Sequence, residues 1–330
     1  MIEYTLTPGC VPEPMKLYGL RPDWTRLPEE LAKNVNKGVY DQYRKPAGGR
    51  IRFRTDSTLI KIEIEISDPC CNHALDVLCC GKYRGRVYGQ SDDDLSYWGQ
   101  FSLCDSFDPV DEDGLRDVTV FLPRTVVPEK LTISLNDGAK VAAPKPYAIE
   151  KPIVFYGSSI TMGAICSSPS FAYTALVAER LGANHINLGF GGSALGEPNV
   201  AEYIASLEMT AFIFDYEYNA PNLEHLKATH KPFFDIVRAA QPELPILMIS
   251  RPNTDSGFVS ACRGRQVILD TLNAALDAGD EHVDYVDGFY LFGNENRDRC
   301  LTEDRCHPND FGFRAMADVV TPRLKKLIER

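Results

Sequence analysis

A change of pattern near residue 148 constrains this chain more than any other feature. Before it, apolar residues recur with period two. After it, short buried runs alternate with stretches of helical spacing. Period two belongs to strands with one wet face, and a strand–loop–helix repeat belongs to layered α/β domains. In residues 59–66, Ile60, Ile62, Ile64 and Ile66 share one face, while Lys61, Glu63 and Glu65 share the other. That is the signature of a half-buried antiparallel strand. Val118, Val120 and Leu122 repeat it, as do Leu131, Ile133 and Leu135 ahead of the turn Asn136-Asp137-Gly138. Helical spacing in this half is confined to a short stretch around Glu29 to Asn34. Residues 1–148 are therefore expected to form a β-sandwich domain.

Beyond Pro144-Lys145-Pro146, apolar runs at 153–156, 185–188, 211–216, 246–250 and 283–286 read as buried parallel strands. Helical stretches fall near 171–181, 223–240 and 259–278, and a last one follows Asn309. This alternation predicts a doubly wound α/β domain over residues 149–330, with helices on both faces of a parallel sheet. Sites in such sheets form at the carboxyl ends of the strands. Four groups of chemically capable residues lie there.

The first is Gly157-Ser158-Ser159-Ile160-Thr161, directly after the first of these strands. A glycine-led turn can present a hydroxyl with little steric cover, as a serine nucleophile needs. Two serines after a strand can also do no more than cap a turn. The second is Asp304-Arg305-Cys306-His307 before the final helix, where a spacing of three sets the Asp and His on one side of a turn. The His can then act as general base while the Asp fixes its tautomer. None of the other histidines (His73, His185, His225, His230, His282) has an acidic residue three positions earlier. The third is Asn187-Leu188-Gly189-Phe190-Gly191-Gly192-Ser193, and the fourth is Asp215-Tyr216-Glu217-Tyr218-Asn219. The Gly192 N–H and the Asn219 amide are candidate oxyanion donors. Each group is weak alone; their coincidence at the ends of consecutive strands, or just after the last strand for Asp304 and His307, points to a common site.

Taken together these blocks resemble the SGNH (GDSL-type) serine hydrolase superfamily, whose motifs centre on Ser, Gly, Asn and His in this order. The resemblance places Ser159 as nucleophile, Asp304 and His307 as its triad partners, and the Ser159 N–H, Gly192 and Asn219 as the oxyanion hole. It implies a flavodoxin-like sheet over roughly 149–330. Two positions depart from the usual pattern: Ser158 stands where an Asp is common, and Glu217-Tyr218-Asn219-Ala220 replaces Gly-x-Asn-Asp. The Gly-Ser-Ser-Ile form with an N-terminal β-sandwich is similar to a subgroup of esterases and acyltransferases whose added domain is jelly-roll-like. Leu17-Tyr18-Gly19-Leu20, Arg26-Leu27-Pro28 and residues 74–78 carry that N-terminal likeness. The activity this implies is hydrolysis of a small acyl ester, an acetyl group on a sugar being one form. An acyltransferase with the same triad, or a carbohydrate-binding protein without activity, are the alternatives.

Composition narrows the partners. Asp and Glu outnumber Lys and Arg by 46 to 35, a net charge of -11, which repels polyphosphate and disfavours nucleic acid. No run approaches the roughly 18 apolar residues of a membrane span. The first residues show no signal-peptide pattern, so a cytoplasmic location and mostly reduced cysteines are expected. No cofactor or metal is expected. Cys70-Cys71-Asn72-His73 with Cys79-Cys80 offers soft ligands, but the knuckle spacing of zinc sites is absent and buried thiols are the reading kept. Asp92-Asp93-Asp94 reads as a solvated loop. Trp24 and Tyr97-Trp98 are candidates for sugar stacking or for core packing. Arg251 is a candidate substrate-binding side chain or a surface ion pair. A homo-oligomer stays open.

Overall fold

The computed structural model describes residues 1–68, 74–89, 94–103, 110–252, 258–293 and 295–330, with side chains left aside at 258–260. Its contacts divide into two compact units. Met1–Leu27, Tyr43–Tyr147 and Ser167–Ser170 form the first; Pro28–Gln42, Ala148–Cys166 and Phe171–Arg330 form the second. The change of pattern near 148 thus falls at the Tyr147/Ala148 junction. A single cut there misses two exchanges, because the chain runs out of the first unit at Pro28–Gln42 and back into it at Ser167–Ser170.

The first unit holds β1 (Ile2–Leu6), β2 (Lys16–Tyr18), β3 (Arg50–Thr55), β4 (Leu59–Ile66), β5 (Leu75–Cys79), β6 (Lys82–Val87), β7 (Ser96–Ser102), β8 (Arg116–Phe121), β9 (Pro128–Leu135) and β10 (Val141–Ala142). They make two antiparallel sheets, ordered β1-β9-β4-β7 and β10-β3-β8-β5-β6, with β2 paired to β3. In β4 burial alternates residue by residue, with Ile60, Ile62 and Ile64 fully buried. They join Ile51, Phe53, Val77, Val118, Val120 and Ile133 in one core built from both sheets. The hydrophobic alternation fixes this register, since a slip of one residue would turn Lys61 and Glu63 inward. Trp24 and Tyr97 belong to this core, at 2% and 4% exposure. They are therefore not stacking platforms, whereas Trp98 is 61% exposed with the Lys61 ammonium 5.3 Å from its ring centre. One acid is buried here. Asp76 on β5 accepts hydrogen bonds from the Ser170 hydroxyl (2.6 Å) and N–H (3.2 Å), and burial pushes its carboxyl up to about 7.

The second unit begins with α1 (Glu29–Val35) and α2 (Lys37–Tyr40). It continues with β11 (Ile149–Gly157), α3 (Ser159–Met162), α4 (Tyr173–Leu181), β12 (Ala183–Gly189), α5 (Pro198–Ala205), β13 (Ala211–Asp215), α6 (Leu223–Ala240), β14 (Ile246–Ile249), α7 (Phe258–Asp277), β15 (Val283–Val286), α8 (Arg297–Cys300) and α9 (Asp310–Ile328). All its strand pairs are parallel, in the order β12-β11-β13-β14-β15. This is the flavodoxin-type order 2-1-3-4-5, whose ligand crevice opens between the first and third strands.

Both faces of the sheet are buried, which is why its central strands β13 and β14 and the carboxyl half of β11 are almost wholly apolar. Ile153, Phe155, Ile213, Leu247 and Ile249 pack on one face with residues of α4 and α9. On the other face Tyr156, Phe212 and Phe214 stack with Phe233 and His230 of α6, Phe214 and His230 having ring centres 4.5 Å apart. Burial among these rings lowers the His230 imidazole to about 3, so it stays neutral. Among the described residues no helix is long and apolar enough to cross a membrane.

Candidate active site

The site grows from the carboxyl end of β11. The chain turns there from strand to helix so tightly that two glycines are obligatory. A Cβ on Gly157 would lie 2.1 Å from the Asp215 carbonyl oxygen, and one on Gly189 would lie 2.3 Å from the Met162 nitrogen. Such distances leave no room for any side chain. Ser158 occupies the N-cap of α3 in an extended conformation, and its hydroxyl accepts from the Ile160 N–H at 3.1 Å. A serine thus fills the capping role open to an aspartate at this position. Ser159 follows as the first helical residue, half-buried and facing the crevice end of the sheet.

Below the turn lies a buried polar post. Asp215, at the end of β13, accepts from the Tyr173 hydroxyl at 2.8 Å and the Thr161 hydroxyl at 3.0 Å, and its carbonyl accepts from the Ser158 N–H at 3.3 Å. Burial pushes the Asp215 carboxyl up to about 7. In the sequence Asp215 heads the fourth block but is assigned no role there. Its one signal was an acid closing an otherwise apolar strand.

The candidate base, His307, comes from the loop between α8 and α9. The His307 ring touches Ser159 through Nε2, at 2.8 Å from Oγ, and donates from Nδ1 to Asp304 Oδ2 at 2.6 Å. An ionised carboxylate can only accept, so the Nδ1 position carries the proton and a neutral ring leaves Nε2 free to accept from the serine. Asp304 Oδ1 accepts in turn from the Thr302 hydroxyl (2.6 Å) and the N–H groups of Cys306 (2.9 Å) and His307 (3.0 Å). Burial pushes the Asp304 carboxyl up, but these hydrogen bonds outweigh it and hold the group well below the usual carboxylate range. Interaction with the Cys306 thiol, ahead of that with Asp304, raises His307 to about 9 against the burial that lowers it. The Cys306 thiol itself donates to the Tyr218 hydroxyl at 2.9 Å. Arg305 takes a left-handed φ of 54°, which turns the chain back inside a loop closed by the Leu301–Pro308 bridge.

The third part is the loop after β12. Gly192 has a φ of 66°, and a Cβ on neighbouring Gly191 would fall 3.4 Å from the Ser159 Cβ, so this loop flanks Ser159. Among the described residues the N–H groups of Ser159 and Gly192 enter no hydrogen bond. Asn219 lies just past β13 and donates one amide hydrogen to the Phe190 carbonyl at 2.8 Å, leaving a second hydrogen on Nδ2. Ser159, Asp304 and His307 are thus joined by hydrogen bonds; Gly192 sits on the loop flanking Ser159, and Asn219, at the end of a 3-10 turn (Glu217–Asn219), is tied to that loop through the Phe190 carbonyl.

Other candidates separate. The Arg251 guanidinium lies 4.5 Å from the Tyr218 ring centre, beside Asn219. Cys70, Cys71 and His73 fall outside the described residues, as do Asp92 and Asp93, whereas Cys79 is a buried free thiol and Cys80 a half-buried one. A cavity of about 510 Å³ lined by Arg238, Glu243 and His282 lies at the amino ends of β14 and β15 and includes none of the Ser159, His307 or Asp304 side chains.

Residues 150–325 match the model of the GDSL-like lipase/acylhydrolase family, and residues 17–141 match the N-terminus of SGNH-hydrolase-type esterases. The chain therefore belongs to the GDSL-like lipase/acylhydrolase family and is an ester hydrolase of the SGNH class. No curated protein matches it. Among solved structures it is similar to a GDSL-like lipase from Bacteroides ovatus, at 21% identity and a TM-score of 0.84, covering 99% of this chain and 98% of that one. A salicylyl-acyltransferase from a tetracycline biosynthetic pathway is similar at 21% identity and a TM-score of 0.79, covering 98% and 97%. An acetyl xylan esterase from the rumen bacterium Butyrivibrio proteoclasticus is similar at 14% identity and a TM-score of 0.62, covering 99% and 98%. At these identities the likeness speaks for the fold.

Proposed function

We propose that this enzyme cleaves small acyl esters, acetyl esters of carbohydrates foremost, through an acyl-enzyme on Ser159. The observation that carries this reading is the unbroken relay from Ser159 Oγ through His307 to Asp304, at 2.8 and 2.6 Å. Neutral His307 takes the Ser159 proton as Oγ attacks the ester carbonyl, and Asp304 stabilises the imidazolium that forms. The carbonyl oxygen, now negative, accepts from the Ser159 and Gly192 N–H groups and the spare Asn219 amide hydrogen. Preorganised donors of this kind are strongest where charge develops in the transition state. His307 then protonates the departing alcohol. Water enters, loses a proton to His307 and releases the acid, which restores Ser159.

The acetyl and sugar parts of this reading are supported by the likeness to an acetyl xylan esterase. A second reading, transfer of the acyl group to an acceptor alcohol in place of water, is favoured by the similarly extensive likeness to an acyltransferase. Both use the same acyl-enzyme, and product analysis with added acceptor alcohols separates them.

The direct test is Ser159→Ala assayed on nitrophenyl acetate and on a panel of acetylated sugars. Loss of a triad nucleophile typically costs on the order of 10⁶-fold in kcat. Activity retained by the variant would remove Ser159 from the reaction.

A further inference from the structure

We infer that Gln42 is a positioning residue of the oxyanion hole, and that Pro28–Gln42 enters the catalytic unit to supply it. This rests on the proposed roles of Ser159 and Gly192. Gln42 lies 149 residues before Gly191 in sequence, yet its Oε1 accepts from the Gly191 N–H at 2.9 Å and its Nε2 donates to the Gly191 carbonyl at 3.0 Å. The second Nε2 hydrogen goes to the Gly38 carbonyl at 3.0 Å. The amide can be oriented only one way, because a flipped group would set its NH₂ against the Gly191 N–H.

Both polar groups of Gly191 are therefore held by one side chain. This fixes the peptide planes on either side of Gly191 and engages its N–H. The next N–H, that of Gly192, has no hydrogen-bond partner among the described residues, one position on from Gly191, where a Cβ would lie 3.4 Å from the Ser159 Cβ. A loop with two adjacent glycines has wide conformational freedom, and an unheld Gly192 N–H would pay the ordering entropy during the reaction.

The segment carrying Gln42 is itself anchored to the same loop. Asn36 caps α2 by accepting from the Val39 N–H at 2.9 Å, and its Nδ2 donates to the Ser193 carbonyl at 3.0 Å. Gly38 permits this close seating, since a Cβ there would fall 2.0 Å from the Ser193 hydroxyl oxygen. The loop is thus gripped at Gly191 and at Ser193, on either side of the candidate donor.

A positioning role makes a specific prediction for Gln42→Met, which keeps the length of the side chain and removes its hydrogen bonds. Rates are to be normalised to the number of reactive sites by active-site titration. The expected kcat on nitrophenyl acetate falls about 10- to 100-fold with KM within about twofold of wild type, because the ground-state carbonyl makes little use of the hole. The inhibition constant of a trifluoromethyl ketone, which adds to Ser159 Oγ and leaves a tetrahedral oxyanion, should rise by a similar factor. Gln42→Glu, which keeps the size but loses both donors, should move both readouts in the same direction and serves if the Met variant folds poorly.

A purely structural role would lower only the titratable fraction. Normalised kcat and inhibition constant both near wild type in the folded variant would overturn the inference. The outcomes stay separable from those of the parent reading. Turnover surviving Ser159→Ala would sink the nucleophile assignment, whereas loss in Ser159→Ala with unaltered Gln42 variants would sink only the role given to Gln42.

Discussion

Ser159 and His307 meet at 2.8 Å, but the chain holds them by different means. Ser159 stands on a turn wedged between β11, β12 and β13, where Gly157 and Gly189 touch backbone and the buried Asp215 braces the turn from below. His307 stands on a loop near the surface, its side chain 22% and that of Asp304 43% exposed, and the hydrogen bonds that orient it come mostly from residues 302–307. The proposed nucleophile is placed by the core, and the proposed base by a self-contained turn. Damage to the first should therefore reach folding, and damage to the second should reach only the chemistry.

The largest effect expected is on rate. Asp304→Asn should leave the loop's acceptor in place but impose the wrong tautomer on His307, costing about 10⁴-fold in kcat, as for the equivalent change in a triad. Above about pH 9, where His307 is neutral and the ion pair contributes nothing, the melting temperature should shift little. A melting temperature that falls steeply would show that the loop is tied into the core after all.

Gly157→Ala should behave in the opposite way. Its Cβ would meet backbone at 2.1 Å, so the sheet end must move. Overpacking of this kind costs about 1–3 kcal/mol or more, readable in denaturant unfolding. A variant of wild-type stability and activity would contradict the wedge.

A smaller effect concerns pH. Catalysis needs neutral His307, and contact with Cys306 helps to hold its pKa at about 9, so kcat/KM should rise with pH towards that value. Cys306→Ala removes the first-named cause, and the acid limb of the profile should move to lower pH, with activity gained near neutrality. The same raised pKa makes the ion pair with Asp304 a stabilising contact below the free-histidine value, lost as pH rises through about 9. A limb that stays in place or moves up would exclude Cys306 from setting it.

The same contrast explains what could be read in the sequence. The base turn is local, so Asp304-x-x-His307 announces itself within four residues. The parallel strands were legible because burial on both faces gives each a short apolar run, and β4 was legible through its alternation of Ile with Lys and Glu. Strands β6 and β7 were not, since Gly85 and Gly99 interrupt their alternation, and β3 was not, since only two apolar residues, Ile51 and Phe53, stand between its arginines. Helix α5, only eight residues long, gave too short a period. The Gln42–Gly191 contact was invisible for a different reason. A side chain acting across 149 residues leaves no spacing to detect, and its segment carried only a weak helical signal. Trp24 shows the converse, as a surface candidate by residue type that the packing of the first unit places in its core.

The central claim is that Ser159 is an activated nucleophile, and a fluorophosphonate probe tests it most directly. Attack by Ser159 Oγ displaces fluoride and leaves a stable phosphonyl serine. The account predicts one adduct per chain, mapped by peptide mass to Ser159, absent in Ser159→Ala and formed far more slowly in His307→Ala. Absence of labelling in the folded wild-type enzyme, or an adduct that persists in Ser159→Ala, would contradict it.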